Sequence, residues 1–337
     1  MELIAKQKNL LDGVKKLGMK QSQEPKIPDY LPLLEGLCWN IDNPYSLSSS
    51  QMLSIYEERW HFVDVLAQAS PEEIKFIEQI ILLYEGLPLM AENEIKRDDF
   101  FDCIKIMLKR LNVELLERHR IYLAGGSLIG LKHGASRFSG DLDFLTQPKD
   151  YQQIKLAINN GARILLDSPD LTVGEPRIDR YGIRYPVTIE QNGQLLRLKL
   201  EIVAEYNLVI GVKDYYHNIP CLNFEDRVVS KLIANADRWC DHNKFSRDLI
   251  DLAMIAEQQK LPYAALCRAN NVYPDAERCL IEAIKQFQNL PEYRQKCYCA
   301  LQVSEPSRII NGIDQLASSY SLATTVRSFG ETDFGYL

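Results

Sequence analysis

The chain has 337 residues, is 46% hydrophobic and 25% charged, and carries 46 acidic against 39 basic side chains for a net charge of -7. That composition excludes disordered and fibrous classes, and the length suggests about two domains with sizeable cores. An acidic total also argues against a protein that coats nucleic acid through bulk charge, while leaving room for a local basic groove. No apolar run approaches the roughly 20 residues that span a bilayer, and Met1-Glu2-Leu3 opens no secretory pattern. A cytoplasmic protein without membrane association is expected.

In chain order, residues 1–20 read as a basic amphipathic helix, with Leu3, Leu10, Leu11, Val14 and Leu17 at helical spacing. A loop bearing Pro25, Pro28, Pro32 and Pro44 follows, up to Ser48-Ser49-Ser50. The period is then helical to about residue 120. Ser70-Pro71-Glu72-Glu73 is a start signal: Ser70 caps, Pro71 fits the first turn and Glu73 completes a capping box. This helix should run through Tyr84 and stop near Gly86 and Pro88. Nothing in this first third points to chemistry.

At Ile121 the pattern changes. Ile121-Tyr122-Leu123-Ala124 reads as a short strand entering Gly125-Gly126-Ser127, after which Leu128-Ile129-Gly130-Leu131 begins a helix. Asp141-Leu142-Asp143-Phe144-Leu145 alternates with period two, so both aspartates share one strand face. Asn192-Gly193 separates Val187-Thr188-Ile189 from the alternating run Leu195 to Val203, the signature of a hairpin. In that run Leu196, Leu198, Leu200 and Ile202 face one way, Arg197, Lys199 and Glu201 the other. Helices return from Glu225 to about residue 320, and the tail from Ser328 is irregular. The eight cysteines and five histidines show no zinc-site spacing, so most thiols are expected to be buried hydrophobes.

Two carboxylates on one side of a strand repel each other unless a cation neutralises them, and a divalent ion bound to triphosphate oxygens is the natural candidate. The preceding glycines let the backbone approach a phosphate, the helix N-terminus offers free N–H groups, and Ser127 adds a hydroxyl. Glu201, on the polar face of the hairpin, is the preferred third carboxylate; its competing role is an ion pair with Lys199 or Arg197. Arg227, Lys231, Asn235 and Arg238 form a stripe on one helix face, either solvated or turned toward phosphate through Lys231. Tyr122, Tyr181, Tyr185 and Tyr206 are expected to pack rather than to stack on bases.

Leu123-Ala124-Gly125-Gly126-Ser127 followed by Ser136-Arg137-Phe138-Ser139-Gly140-Asp141-Leu142-Asp143 resembles the signature of polymerase-β-like nucleotidyltransferases. The nearest branch is the AbiEii/AbiGii toxin family, with MenT-like toxins. Lys231-Leu232-Ile233-Ala234 and Arg247-Asp248-Leu249-Ile250-Asp251-Leu252 resemble its later Lys and Arg-Asp-x-x-Asp-Leu elements, so the likeness covers about residues 120–260. It implies a nucleotidyltransferase sheet core at 119–222 and says nothing of the first hundred residues; with the helical periodicity read at 1–118 and 223–337, the expected fold is α+β, a core flanked by two α-helical regions. The resemblance also implies that Gly125, Gly126, Ser127, Arg137, Ser139 and Lys231 bind nucleotide. Asp141, Asp143 and Glu201 would hold Mg2+ or Mn2+, and Lys231 and Asp248 would join them in catalysis. Of Asp248 and Asp251, the sequence favours Asp248 as the site residue without deciding.

The expected reaction is transfer of a nucleoside monophosphate from NTP to an acceptor hydroxyl, with release of pyrophosphate. The resemblance implies an RNA acceptor such as a tRNA 3′ end and an antitoxin as protein partner. Transfer to a protein or small molecule, or nucleotide binding with little turnover, stand as alternatives.

Overall fold

The computed structural model describes residues 25–38, 41, 43–59, 69–84, 97–191, 194–328 and 331. The amphipathic pattern at 1–20, the stop at Gly86 and Pro88, and the Asn192-Gly193 turn lie outside them. The chain divides into two compact units. One comprises Met1–Glu94 with Val173–Arg177 and Tyr185–Thr188; the other comprises Ile95–Thr172, Ile178–Arg184 and Ile189–Leu337.

In the first unit, α1 (Pro32–Leu37), α2 (Ser49–Arg59) and α3 (Pro71–Tyr84) share a core that includes Leu34, Met52, Tyr56, Phe76 and Ile80. Pro71 opens α3 and Ser70 Oγ accepts from the Glu73 N–H at 3.1 Å, as the start signal predicts. The second half of the capping box does not form as expected. The Glu73 carboxylate is fully buried and accepts from Leu33 N at 2.9 Å, Leu34 N at 2.7 Å and the Tyr56 hydroxyl at 2.7 Å. The physical reason is at α1: its N-cap Leu31 offers no side-chain acceptor, so free N–H groups of its first turn need one from elsewhere.

Then come α4 (Arg97–Lys109), α5 (Val113–Arg118), β1 (Tyr122–Leu123), α6 (Gly125–His133), β2 (Asp141–Thr146) and α7 (Pro148–Asn159). They are followed by β3 (Leu171–Val173), β4 (Arg177–Ile178), β5 (Gly182–Gln191), β6 (Gln194–Ala204), β7 (Asp214–Tyr216) and β8 (Ile219–Cys221). The mixed sheet runs β3-β5-β6-β2-β1-β8-β7, with β4 paired to β5. Strand β2 lies antiparallel to β1 and parallel to β6. The alternation read from sequence holds: Leu142, Phe144, Leu196, Leu198, Leu200 and Ile202 are buried on the side away from the acidic residues. Helix α6 starts at Gly125, three residues before the apolar run that announced it, so the glycines form its first turn.

Helices α8 (Phe224–Arg238), α9 (Arg247–Gln258), α10 (Tyr263–Val272), α11 (Ala276–Asn289), α12 (Pro291–Ala300) and α13 (Pro306–Ser318) complete the chain. They enclose a core that includes Leu232, Leu252, Ile255, Leu280, Phe287 and Ile313. Of the tail read as irregular, Ser328 and Glu331 are described, and Glu331 is buried and paired with the fully buried Arg294 at 2.8 Å. Five of the eight cysteines are buried. No helix among the described residues is long and apolar enough to cross a membrane.

Glu73→Ala leaves two N–H groups and one hydroxyl buried without an acceptor, an expected loss of roughly 3 kcal/mol or more. Denaturant titration should register that loss, and hydrogen exchange should show the Leu33 and Leu34 amides losing protection.

Candidate active site

The short strand β1 ends at Leu123, and Ala124 N–H donates to the Asp143 carbonyl at 2.8 Å, which aligns the start of α6 with β2. Gly125 has φ +69, a left-handed conformation that a side chain would strain. A Cβ there would also stand 2.1 Å from Asp143 Oδ2. The Asp143 carboxylate therefore lies directly against the first turn of α6. At Gly126 a Cβ would meet Arg137 Nη2 at 2.3 Å and Ser139 Oγ at 2.7 Å. Both glycines are dictated by this close packing.

Register brings the acidic residues together. On parallel β2 and β6, Asp141 is opposite Lys199 and Asp143 is opposite Glu201. The Lys199 ammonium lies 3.6 Å from Asp141 Oδ1 and 3.1 Å from Glu201 Oε1. Arg184 of β5 donates to the same Glu201 oxygen at 3.0 Å and is itself held by Asp179 at 2.5 Å. Burial, then the negative charges of Asp141 and Glu201, push the Asp143 carboxyl up to about 7. Burial also raises Asp141, with Glu201 adding to it against the pull of Lys199. Two hard oxygen donors with under-neutralised charge fit a divalent cation such as Mg2+ or Mn2+. Among the described residues no three His, Cys, Asp or Glu side chains converge at metal-binding spacing. Glu201 thus shares the face with the aspartates, but its Oε1 is engaged by two cations.

The other residues singled out from sequence form the closed half of the centre. The buried Ser127 hydroxyl donates to the Asp141 carbonyl, which ties α6 to β2 and leaves that proton engaged. Arg137 is buried and grips Asp251 with both Nε and Nη2 at 2.6 Å, while Nη1 donates to the Phe138 carbonyl at 2.6 Å. Ser139 is half-buried, its hydroxyl facing Gly126. Lys231 bridges Asp248 at 3.1 Å and Asp251 at 2.7 Å, and Arg238 clamps Asp248 at 2.6 and 2.9 Å. The stripe on α8 is therefore a buried polar seam, not a solvated face: Arg227, Lys231 and Asn235 are all buried. Both aspartates of α9 face Lys231, so the choice between them dissolves. Burial alone would raise Asp251 and Asp248. Arg137 and Lys231 outweigh it for Asp251, and Lys231 and Arg238 for Asp248, holding both below the usual carboxylate range.

The sequence names Lys199 only as a competing partner of Glu201, a pair that forms, and gives Arg184 no role; the register adds Asp141 to what Lys199 touches. Arg247, in the Arg-Asp-x-x-Asp-Leu element, is half-buried, acts electrostatically on Asp141, and makes no ion pair among the described residues. It follows Phe245 and Ser246, whose φ values of 51 and 50 are unusual for side-chain-bearing residues. The tyrosines also divide. Tyr185 is buried as expected, but Tyr181 and Tyr206 are 56% and 54% exposed and meet edge to face at 6.4 Å.

Residues 106–296 match the family model of the nucleotidyl transferase AbiEii toxin of type IV toxin-antitoxin systems. The chain belongs to the AbiEii nucleotidyltransferase toxin family. Membership makes it a nucleotidyltransferase, with a nucleoside triphosphate as substrate and an antitoxin as partner. Comparison with curated proteins gives no match. Among solved structures the chain is similar to JHP933 from Helicobacter pylori, at 18% identity and a TM-score of 0.37, covering 66% of this chain and 97% of that one. It is also similar to MenT4, a nucleotidyltransferase toxin from Mycobacterium tuberculosis H37Rv, at 17% identity and a TM-score of 0.39, covering 67% and 85%. At TM-scores this low neither likeness bears on the assignment below.

In this AbiEii nucleotidyltransferase, Asp251→Asn should cost about 3 kcal/mol at neutral pH, because it leaves Arg137 and Lys231 short of a buried counter-charge. A carboxylate whose pKa is lowered by folding stabilises above its unfolded value of about 4 and loses that contribution as pH falls further. The stability gap between wild type and variant should therefore be full at pH 7 and narrow below about pH 4, as followed by denaturant titration at each pH.

Proposed function

We propose that this chain is a metal-dependent nucleotidyltransferase toxin that transfers a nucleoside monophosphate from NTP to a hydroxyl of an RNA, such as a tRNA 3′ end. The observation that carries this reading is the Asp143 carboxylate packed against the left-handed Gly125 at the start of α6. A phosphate held by the free N–H groups of that helix start would lie beside the carboxylate pair. Asp141 and Asp143 would hold Mg2+ or Mn2+, which supplies charge neutralisation at the phosphates when bound.

The chain's own groups do the rest by positioning. Gly125 and Gly126 let Asp143 and Arg137 close on the start of α6, whose N–H groups would receive the triphosphate, and Arg247 offers a guanidinium that acts on Asp141. Lys231 and Arg137 fix α9, which carries Arg247, against the glycine turn. In the transfer the acceptor oxygen bonds to the α-phosphorus and the bond to the β-bridging oxygen breaks. Pyrophosphate departs with that electron pair, and the acceptor proton passes to a carboxylate of the centre.

An RNA acceptor is supported by the surface next to Glu201. The relay Glu201-Arg184-Asp179 continues to the backbone N–H of Tyr181, which Asp179 accepts at 2.6 Å. Tyr181 and Tyr206 stand exposed there, with the Arg180 guanidinium 5.5 Å over the Tyr181 ring. Exposed aromatic faces with a stacked arginine suit unpaired bases, despite the acidic total.

Incubation with total RNA and each labelled NTP should label an RNA with stoichiometric pyrophosphate release. Asp143→Asn should lower that release about a hundred- to a thousand-fold while circular dichroism and melting stay native. Nucleotide binding without turnover, indifferent to this variant, would instead mark a binding protein. Separately, Tyr181→Ala and Tyr206→Ala should each weaken single-stranded RNA binding by roughly 1–3 kcal/mol, measured by fluorescence anisotropy. Unchanged RNA affinity in both would remove the RNA surface.

A further inference from the structure

We propose that Lys199 takes the place of a second divalent cation, so that this centre works with one metal ion and one built-in ammonium. The proposal rests on the reading above that Asp141 and Asp143 hold a metal. Two-metal phosphoryl-transfer sites place ions about 3.5–4 Å apart, bridged by shared carboxylates. Here the bridging position between two of the three carboxylates is filled by the chain itself. The Lys199 ammonium stands 3.6 Å from Asp141 Oδ1 and 3.1 Å from Glu201 Oε1.

That placement is imposed by the backbone. Lys199 and Glu201 are two residues apart on β6 and so share a face, and the parallel register sets Lys199 directly opposite Asp141. The ammonium is partly shielded, at 21% side-chain exposure. Glu201 is further secured from the β5 side by Arg184, which Asp179 anchors in turn. Both cations meet the same oxygen, Oε1, so the charge of this third carboxylate is already shared with two groups of the chain.

Asp143 is disposed differently. Its Oδ2 lies against Gly125 at the helix start, on the β1 side of β2, whereas Glu201 stands on β6, so Asp141 and Asp143 would hold an ion without Glu201. Charge counting favours the same answer. Asp141, Asp143, Glu201 and Asp179 with Lys199 and Arg184 leave two negative charges, which one divalent ion balances. Two divalent ions beside two fixed cations would pack like charges within a few ångströms of each other, at a steep Coulomb cost in a partly dry site.

The test counts bound Mn2+ by electron paramagnetic resonance, with the α,β-methylene analogue of each nucleoside triphosphate present in turn. Wild type and Lys199→Arg should bind one Mn2+ per chain, and Lys199→Met should admit a second. Two ions in wild type would overturn the proposal, as would a Lys199→Met count and affinity equal to wild type. If Lys199→Met fails to fold, the wild-type and Lys199→Arg counts decide by themselves. Asp143→Asn separates the proposal from its foundation: Mn2+ binding unaffected by that change would remove the carboxylate-pair reading itself.

Discussion

Everything near the site depends on charge that is buried in alternating sign. Arg137, Asp251, Lys231, Asp248 and Arg238 follow one another as cation, anion, cation, anion, cation, with all but Arg238 less than a tenth exposed. Desolvating any one alone would be prohibitive, so each is tolerable only with its neighbours in place. A hydrophobic seam would let α8, α9 and the segment before β2 slide past one another. This chain of directional pairs fixes them, because each guanidinium fork donates to its carboxylate in one geometry. Arg137 carries that rigidity to the glycine turn, where its guanidinium fills the space a Gly126 side chain would need.

The centre therefore has a closed half and an open half. In the closed half charges are matched and the Ser127 hydroxyl is committed to the backbone. In the open half Asp141 and Asp143 keep an excess of negative charge that the protein leaves incompletely neutralised. The contrast is what a preorganised site requires. Groups that must not move are paired, and groups meant for a ligand are held at an electrostatic disadvantage that ligand binding relieves.

The sequence made the open half legible and hid the closed half. Asp141 and Asp143 announce themselves because strand periodicity fixes their common face, and Glu201 follows from the parity of its own strand. Gly125 and Gly126 read as a phosphate turn, although that reasoning did not foresee that Asp143 and Arg137 would fill the space above them. For Ser127 and Arg137 the signature shows a hydroxyl and a guanidinium but not their protein partners, because spacing says nothing about burial. The Lys231 stripe was equally ambiguous, since a helical face of polar residues is compatible with water or with a buried partner helix. In the first unit Glu73 looked like a local cap, yet its acceptor capacity was drawn to a helix about forty residues away in sequence. Local propensity shows which groups want partners. Tertiary packing decides which they take.

The same division separates Lys231 from Arg247. Lys231 sits between two carboxylates at 3.1 and 2.7 Å, so turning toward phosphate would strand Asp248 and Asp251 in a dry environment. Arg247 has no such obligation. It starts α9 immediately after Asn243-Lys244-Phe245-Ser246, where two successive left-handed residues turn the chain sharply into the helix. Such backbone strain persists only where the surroundings enforce it, and here the enforcing contacts are those of the next turn, Asp248 with Lys231 and Arg238. Lys231 thus holds the helix whose first residue, Arg247, makes no ion pair among the described residues. A lysine whose ammonium is spent on two aspartates, and an arginine at the start of the helix it holds, are two parts of one arrangement.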